Sequence, residues 1–226
     1  MKKRQKVYGV FKRCLDIIFS FLAIVILSPI LLLLALLVKC TSKGPILFKQ
    51  TRVGKKKKNF KIWKFRSMRI EAPKNAATRD LEDPDIYITK FGHFIRKTSL
   101  DELPQLFNIL SGKMSFIGPR PTIPEEIELM EEREKYNVYE IRPGLTGLAQ
   151  VHGRDELTDS TKGRLDGMYV QKLSFILDIK IFFKTILYVL KRDGVVEGKH
   201  DTTEQEIKVN AEAGELVEEK ETVHNS

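Results

Sequence analysis

The sequence predicts an α+β protein, mostly helical. A re-entrant membrane helix-break-helix at the N-terminus leads into a compact cytoplasmic domain with amphipathic interfacial helices and a small β-hairpin. Three observations predict it. Ile17 to Val38 is a run of 22 residues without a charge. Basic residues crowd both sides of that run. The remainder alternates helix-period apolar stretches with loops rich in Gly and Pro, and contains one strand-like pair. The net charge of +9 hides an uneven distribution: residues 1–70 hold 18 Lys and Arg against the single acid Asp16, whereas residues 193–226 hold 10 acids against three lysines. The expected organisation is a membrane anchor with basic flanks at 1–43, a body at 44–195, and an acidic, disordered tail at 196–226.

As a straight helix the apolar run measures about 33 Å, enough to cover the hydrocarbon core. A cleaved signal peptide is disfavoured, because Lys39, Cys40 and Thr41 follow it in place of a small-residue cleavage site. Lys2, Lys3, Arg4, Lys6, Lys12 and Arg13 precede the run; Lys39, Lys43, Lys49, Arg52 and Lys55 to Lys58 follow it. Both flanks thus carry the cytoplasmic signature, and a single crossing allows only one end inside. Pro29 removes a helical hydrogen bond, so a bend is expected there, and the Ser28 hydroxyl can reach a carbonyl of the preceding turn. A helix that enters, bends at Ser28-Pro29 and returns resolves the charge conflict. The charges favour it modestly over a full crossing, since mid-helix prolines also occur in spanning helices. The lysine block reads as a turn between strands beside anionic lipid. Nucleic acid is the other user of such a patch, but the adjoining anchor makes lipid the expected partner. Cys14 and Cys40 make no disulfide framework, and His93, His152, His200 and His224 lack metal-ligand spacing.

Gly44 to Phe65 reads as a hairpin, with Ile46, Phe48, Phe60, Ile62 and Trp63 as strand residues and Gly54 and the lysines between. Glu71 to Asp85, with Pro73 and Pro84, reads as a loop. Thr89 to Leu110 is helical in two pieces, with Pro104 early in the second. Ser111 to Pro124 is rich in Gly and Pro, Glu125 to Tyr136 has strong helix formers, and Ile141 to Gln150 is another Gly/Pro loop. Leu165 to Leu190 repeats apolar residues at helical spacing between charges, as one amphipathic helix or two.

Three stretches bear on chemistry: Lys64-Phe65-Arg66-Ser67-Met68, Asp101-Glu102-Leu103-Pro104-Gln105-Leu106, and the arginine loops Gly118-Pro119-Arg120-Pro121 and Arg142-Pro143-Gly144. Alone, each has a plainer reading: carboxylates at a helix start are common caps, and loop arginines are common surface residues. Together they suggest phosphate chemistry. Arginines and a divalent cation remove the repulsion between a carboxylate and a pyrophosphate, and Mg²⁺ suits an oxygen-lined site. Adjacent carboxylates do not share a helical face, so Asp101 and Glu102 should have separate roles.

With these residues in view, the chain resembles the bacterial initiating sugar-phosphate transferases of the small monotopic polyprenyl-phosphate phosphoglycosyl transferase family. The resemblance runs from about Tyr8 to Val195. Its motifs are Ser28-Pro29, Gly44-Pro45, Phe48-Lys49-Gln50-x-Arg52-x-Gly54, the Lys64 to Met68 segment, Leu100 to Leu106 continuing through Asn108, Leu110, Gly112, Met114 and Ser115 to Gly118-Pro119-Arg120-Pro121, and Arg142-Pro143-Gly144-x-Thr146-Gly147. It implies transfer of a sugar 1-phosphate from a UDP-sugar to a polyprenyl (undecaprenyl) phosphate, with UMP released, at the start of glycan or exopolysaccharide assembly. It implies Asp101 as the nucleophile of a covalent phosphoryl-Asp intermediate, Glu102 as a Mg²⁺ ligand, and Lys64, Arg66, Arg120 and Arg142 as contacts to substrate phosphates and nucleotide. It implies a re-entrant helix broken at Ser28-Pro29 and a monotopic seat on the cytoplasmic face of the bacterial inner membrane, among anionic lipids and without nucleic acid. A homo-oligomer is compatible with it, and its order is not set by the sequence. Many relatives carry Asn and Trp after the loop ending at Gln150; here Gly153-Arg154-Asp155-Glu156-Leu157 follows, without the Trp, which leaves sugar specificity open. The larger relatives' extra N-terminal helices and nucleotide-fold domain have no counterpart in this sequence. A non-catalytic scaffold on anionic lipid would need the anchor and the lysines but not Asp101, Glu102 or Arg120.

Overall fold

The computed structural model describes residues 3–72, 83–153 and 157–190. The expected acidic tail, most of the loop from Glu71 to Asp85, and Arg154 to Glu156 lie outside the described residues. In chain order the elements are α1 (Lys3–Thr41), β1 (Leu47–Val53), β2 (Asn59–Phe65), α2 (Lys90–Lys97), α3 (Gln105–Leu110), β3 (Ser115–Ile117), α4 (Ile127–Lys135), β4 (Gly144–Thr146), α5 (Asp159–Gln171) and α6 (Phe175–Leu190).

The expected hairpin is present. β1 and β2 pair antiparallel from Leu47↔Phe65 to Val53↔Asn59, and a 3-10 turn at Lys55–Lys57 joins them. Part of the lysine block is engaged within the protein, since Lys57 forms an ion pair with Glu134. A second strand pair was not expected from sequence: β3 and β4 run parallel, with Ser115 opposite Gly144 and Ile117 opposite Thr146. Each strand is three residues long and sits inside a Gly/Pro-rich loop, so no alternation announces it.

α1 is the spine of the molecule, and one stripe of it touches all three apolar clusters of the body. Tyr8 packs on the cluster around Leu165, Tyr169 and Ile181. Ala23, Ile24 and Leu27 pack against Phe60, Ile62, Leu106, Ile109 and Met114. Leu34 and Val38 are buried with Phe65 and Ile95. Polar contacts fasten the same stripe. Gln5 Nε2 donates to the carbonyls of Val170 and Gln171 at the end of α5. Tyr8 Oη donates to Asp178 (2.6 Å), which Lys12 also contacts and to which Tyr169 Oη donates at 2.7 Å. Buried Asp16 accepts from Ser115 Oγ and the Phe116 amide at the start of β3. The opposite face of α1, including Phe19, Leu22, Val25, Ile26, Leu32, Leu33 and Leu36, is exposed and apolar.

α1 runs from Lys3 to Thr41 as one helix with Pro29 inside, so helical hydrogen bonding continues on both sides of the break expected at Ser28-Pro29. The physical reason is local. Pro29 has no amide hydrogen for the carbonyl of Val25, four residues earlier, and Ser28 Oγ donates to that carbonyl at 2.8 Å. Leu27 and Leu31 also pack on the body from either side of the proline.

Candidate active site

The carboxylate pair is built by a chain reversal. Thr89 caps α2, its Oγ1 accepting from the Gly92 amide at 2.9 Å. α2 ends at Thr98, and Ser99 in the left-handed region (φ 56°) turns the chain into a 3-10 turn, Leu100–Glu102, ahead of Pro104 and α3. Leu100 and Leu103 pack on the cluster that holds Leu34 and Val38. Asp101 and Glu102 are thereby fastened beside the last turns of α1, where its apolar run ends. Three residues per turn separate neighbouring side chains, so the two carboxyls point to different surroundings.

Lys64, from the end of β2, reaches Glu102 with an Nζ···Oε1 distance of 2.8 Å, and Arg120 Nη1 stands 3.8 Å from the same oxygen. Asp101 is buried at 7% exposure. Burial pushes its carboxyl above the ordinary carboxylate range; Lys64, Arg96 and Arg120 oppose that and Glu102 adds to it. Burial likewise pushes the Lys64 ammonium down, with Glu102 opposing. Asp101, Glu102, Lys64 and Arg120 are thus brought together.

The other two predicted cations go elsewhere. Arg66 is buried under the junction that follows α1, where its Nη2 donates at 2.7 Å both to the Ser42 carbonyl and to Ser42 Oγ. Arg142 Nε donates to the Gly112 carbonyl at 2.9 Å, next to the Ile109 and Leu110 carbonyls that accept from Arg13. The two arginine loops do touch through their backbones. A Cβ on Gly118 would fall 2.7 Å from the Arg142 carbonyl, and one on Gly144 would fall 2.2 Å from the Gly118 nitrogen. These glycines permit that approach, while the arginine side chains diverge.

Three positioning residues escaped the sequence reading. Asn108 Oδ1 accepts from the Trp63 amide at 3.0 Å and its Nδ2 donates to the Lys61 carbonyl at 2.8 Å. It acts as an extra strand rung that ties α3 to β2 and sets Lys64 against the carboxylates. Arg133 is paired with fully buried Asp166 (Nη2···Oδ2 2.6 Å) and donates from Nη1 to the Arg120 carbonyl at 2.8 Å. Asp166 in the apolar stretch of α5 was the available signal, for a lone acid on a buried face requires a cation.

Two carboxylates beside cations suit a Mg²⁺ ion that takes its remaining ligands from substrate phosphate and water. Among the described residues no group of three or more His, Cys, Asp or Glu could hold a metal unaided.

The family model described as bacterial sugar transferase matches residues 7–192. A UDP-glucose:undecaprenyl-phosphate glucose-1-phosphate transferase of Klebsiella pneumoniae is 43% identical over 184 residues, covering 78% of this chain and 39% of the relative. A UDP-N-acetylgalactosamine-undecaprenyl-phosphate N-acetylgalactosaminephosphotransferase of Aeromonas hydrophila is 40% identical, covering 81% of this chain and 44% of the relative. The exopolysaccharide production protein ExoY of Sinorhizobium fredii is 40% identical, with 79% and 84% covered. The chain therefore spans less than half the length of the first two and most of the third.

Proposed function

Since the chain belongs to the bacterial sugar transferase family, we propose that it moves a sugar 1-phosphate from a UDP-sugar to undecaprenyl phosphate or a similar polyprenyl phosphate and so starts assembly of a polysaccharide. The observation that carries this reading is the buried Asp101 beside Glu102, Lys64 and Arg120, at the end of the membrane segment. In the first half-reaction a carboxylate oxygen of Asp101 attacks the β-phosphorus of the UDP-sugar. The bond from that phosphorus to the bridging oxygen breaks, and UMP leaves with the electron pair. In the second, a phosphate oxygen of the polyprenyl phosphate attacks the same phosphorus, the bond from the Asp101 carboxyl oxygen to that phosphorus breaks, and the Asp101 carboxylate is regenerated. Lys64 and Arg120 face the charge that gathers on the phosphate oxygens. Glu102 would hold Mg²⁺ against those oxygens, which lessens their repulsion of the nucleophile.

A monotopic seat on the cytoplasmic face, with α1 re-entrant and bent at Ser28-Pro29 within the lipid, belongs to the same proposal. It is supported by the docking of Gln5, Tyr8 and Lys12 on one side of the apolar run, and of Val38 on the other, against one body. Groups held against one body in this way favour a seat on one side of a hydrocarbon core about 30 Å thick over a crossing. The arrangement lets a cytosolic nucleotide sugar and a membrane-bound phosphate meet one carboxylate.

The test is UMP release from a panel of UDP-sugars with undecaprenyl phosphate and Mg²⁺. Asp101→Asn is expected to abolish release and the acid-sensitive phospho-sugar adduct while the protein stays with the membrane. Turnover at the wild-type rate in that variant removes Asp101 from the nucleophile role.

A further inference from the structure

One cavity has no part in the account so far. Behind Arg120 lies a small cleft, open to solvent, lined by Arg120, Thr122, Leu129, Arg133, Gln150 and Lys162 among others. We infer that this cleft takes the UMP half of the donor, and that Gln150 is the specificity-determining residue that holds the edge of the uracil ring; the inference rests on the sugar-phosphate transfer proposed above.

The direction follows from the geometry of displacement at phosphorus. The entering and leaving oxygens lie roughly in line, so UMP departs on the side of the β-phosphorus away from Asp101. Arg120 joins the two regions. Its guanidinium stands 3.8 Å from Glu102 on one side, and it lines the cleft on the other. The cleft walls come from α4, α5, the Pro121 segment and the turn before Gln150, not from the turn that carries Asp101. A cationic entrance suits the α-phosphate of the leaving group.

Deeper in, Gln150 supplies the chemistry for a base. It is 8% exposed, and among the described residues neither its Oε1 nor its Nε2 has a hydrogen-bond partner. A buried carboxamide with both ends unsatisfied destabilises the fold, and such a group is the exception in folded proteins. Uracil offers what it lacks: the ring N3–H donates to Oε1, and the adjacent ring carbonyl accepts from Nε2. Space for the carboxamide is reserved by Gly147, where a Cβ would fall 2.7 Å from Gln150 Oε1 and 2.1 Å from the Gly118 carbonyl. Apolar Leu129 offers a contact for the ring face.

The experiment uses the full chain in detergent or nanodiscs and three readouts: UMP binding by calorimetry, competitive inhibition of turnover by UMP, and inhibition by inorganic pyrophosphate, which has no base. Gln150→Ala is expected to weaken UMP binding and inhibition ten- to a hundredfold and to raise KM for the UDP-sugar by a similar factor, with pyrophosphate inhibition unchanged. Gln150→Glu keeps the size but replaces the NH₂ donor with an oxygen, and should weaken UMP at least tenfold; it serves if the Ala variant does not fold. The inference is overturned if UMP inhibition stays within twofold of wild type in the Glu variant, or if pyrophosphate weakens in parallel, which marks a collapsed loop. It is also overturned if only KM for the UDP-sugar changes, which assigns Gln150 to the sugar. Failure of wild type to release UMP from any UDP-sugar would instead remove the transfer reaction, and calorimetry with UMP would still report on the cleft.

Discussion

In the proposed reaction Asp101 attacks as a carboxylate, yet its surroundings press it toward the neutral acid. Burial is the largest cause, Glu102 adds to it, and Lys64 is the strongest opposing group. The acid limb of kcat/KM should therefore lie above the ordinary carboxylate range. Replacing Lys64 with Met removes the main stabiliser of the charged form, so the limb should move to higher pH, as read from initial rates of UMP release between pH 5 and 9. An unmoved limb would mean that another group sets it. Stability runs in the opposite sense. A carboxyl with a raised folded-state pKa contributes stability that is fully present below its unfolded pKa and is lost as pH rises through the folded value. At neutral pH the ionised Asp101 is thus a cost to the fold, and Asp101→Asn should raise the melting temperature while ending turnover. A lower melting temperature in that variant would show that the three cations more than offset the burial.

Among the elements, α6 carries the apolar face that the proposed membrane seat would use. Phe175, Ile176, Ile179, Phe182, Phe183, Ile186 and Leu187 recur at helical spacing and are all exposed, while Asp178 and Ile181 face inward and are buried. The stripe continues onto α1, because the Phe11 and Phe175 rings meet edge to face at 6.3 Å. Transfer of each large side chain from water to lipid is worth about 1.5–3 kcal/mol. Phe182→Asp with Phe183→Asp should shift the protein toward the supernatant in vesicle flotation, with its far-UV circular dichroism unchanged; full retention on vesicles would limit the anchor to α1. This stripe was legible in the sequence because seven apolar positions repeat over four turns. The hairpin was legible for a similar reason, through strand-type residues around a Gly-Lys turn. The β3–β4 pair was not, for three-residue strands among glycines and prolines carry no period. In the site, the grouping of Lys64, Asp101, Glu102 and Arg120 could be approached from local motifs. The positions of Arg66 and Arg142 could not, because a motif fixes where the backbone passes and not which carbonyl a six-atom side chain finds. Arg133 looked like one more charge in a polar helix, and only the tertiary partner Asp166 gives it a place.

Over the whole molecule, α1 would decide how the protein meets the proposed membrane surface. Its inner stripe is held at one end by α5 and α6 through Gln5, Tyr8 and Lys12, and at the other by the Phe65–Ile95 cluster through Leu34 and Val38. Pulling one end through a bilayer would strip a set of those contacts and leave Asp16 and Asp178 short of partners in a low-dielectric interior. The outer face of α1, by contrast, is apolar along the run and needs lipid. The chain carries its own reporters for this geometry. Cys14 and Cys40 are its only cysteines, they bracket the apolar run, and both are exposed. In inverted vesicles, where the cytoplasmic face is outermost, a membrane-impermeant maleimide should modify both thiols; in right-side-out vesicles it should modify neither until the bilayer is opened. If lipid shields the natural thiols, Lys12→Cys and Lys43→Cys in a background free of the natural cysteines move the reporters into the basic flanks. Labelling of one flank in each vesicle orientation would demonstrate a crossing. It would separate the halves of α1 by the thickness of the bilayer and leave the present packing of the body on both of them untenable.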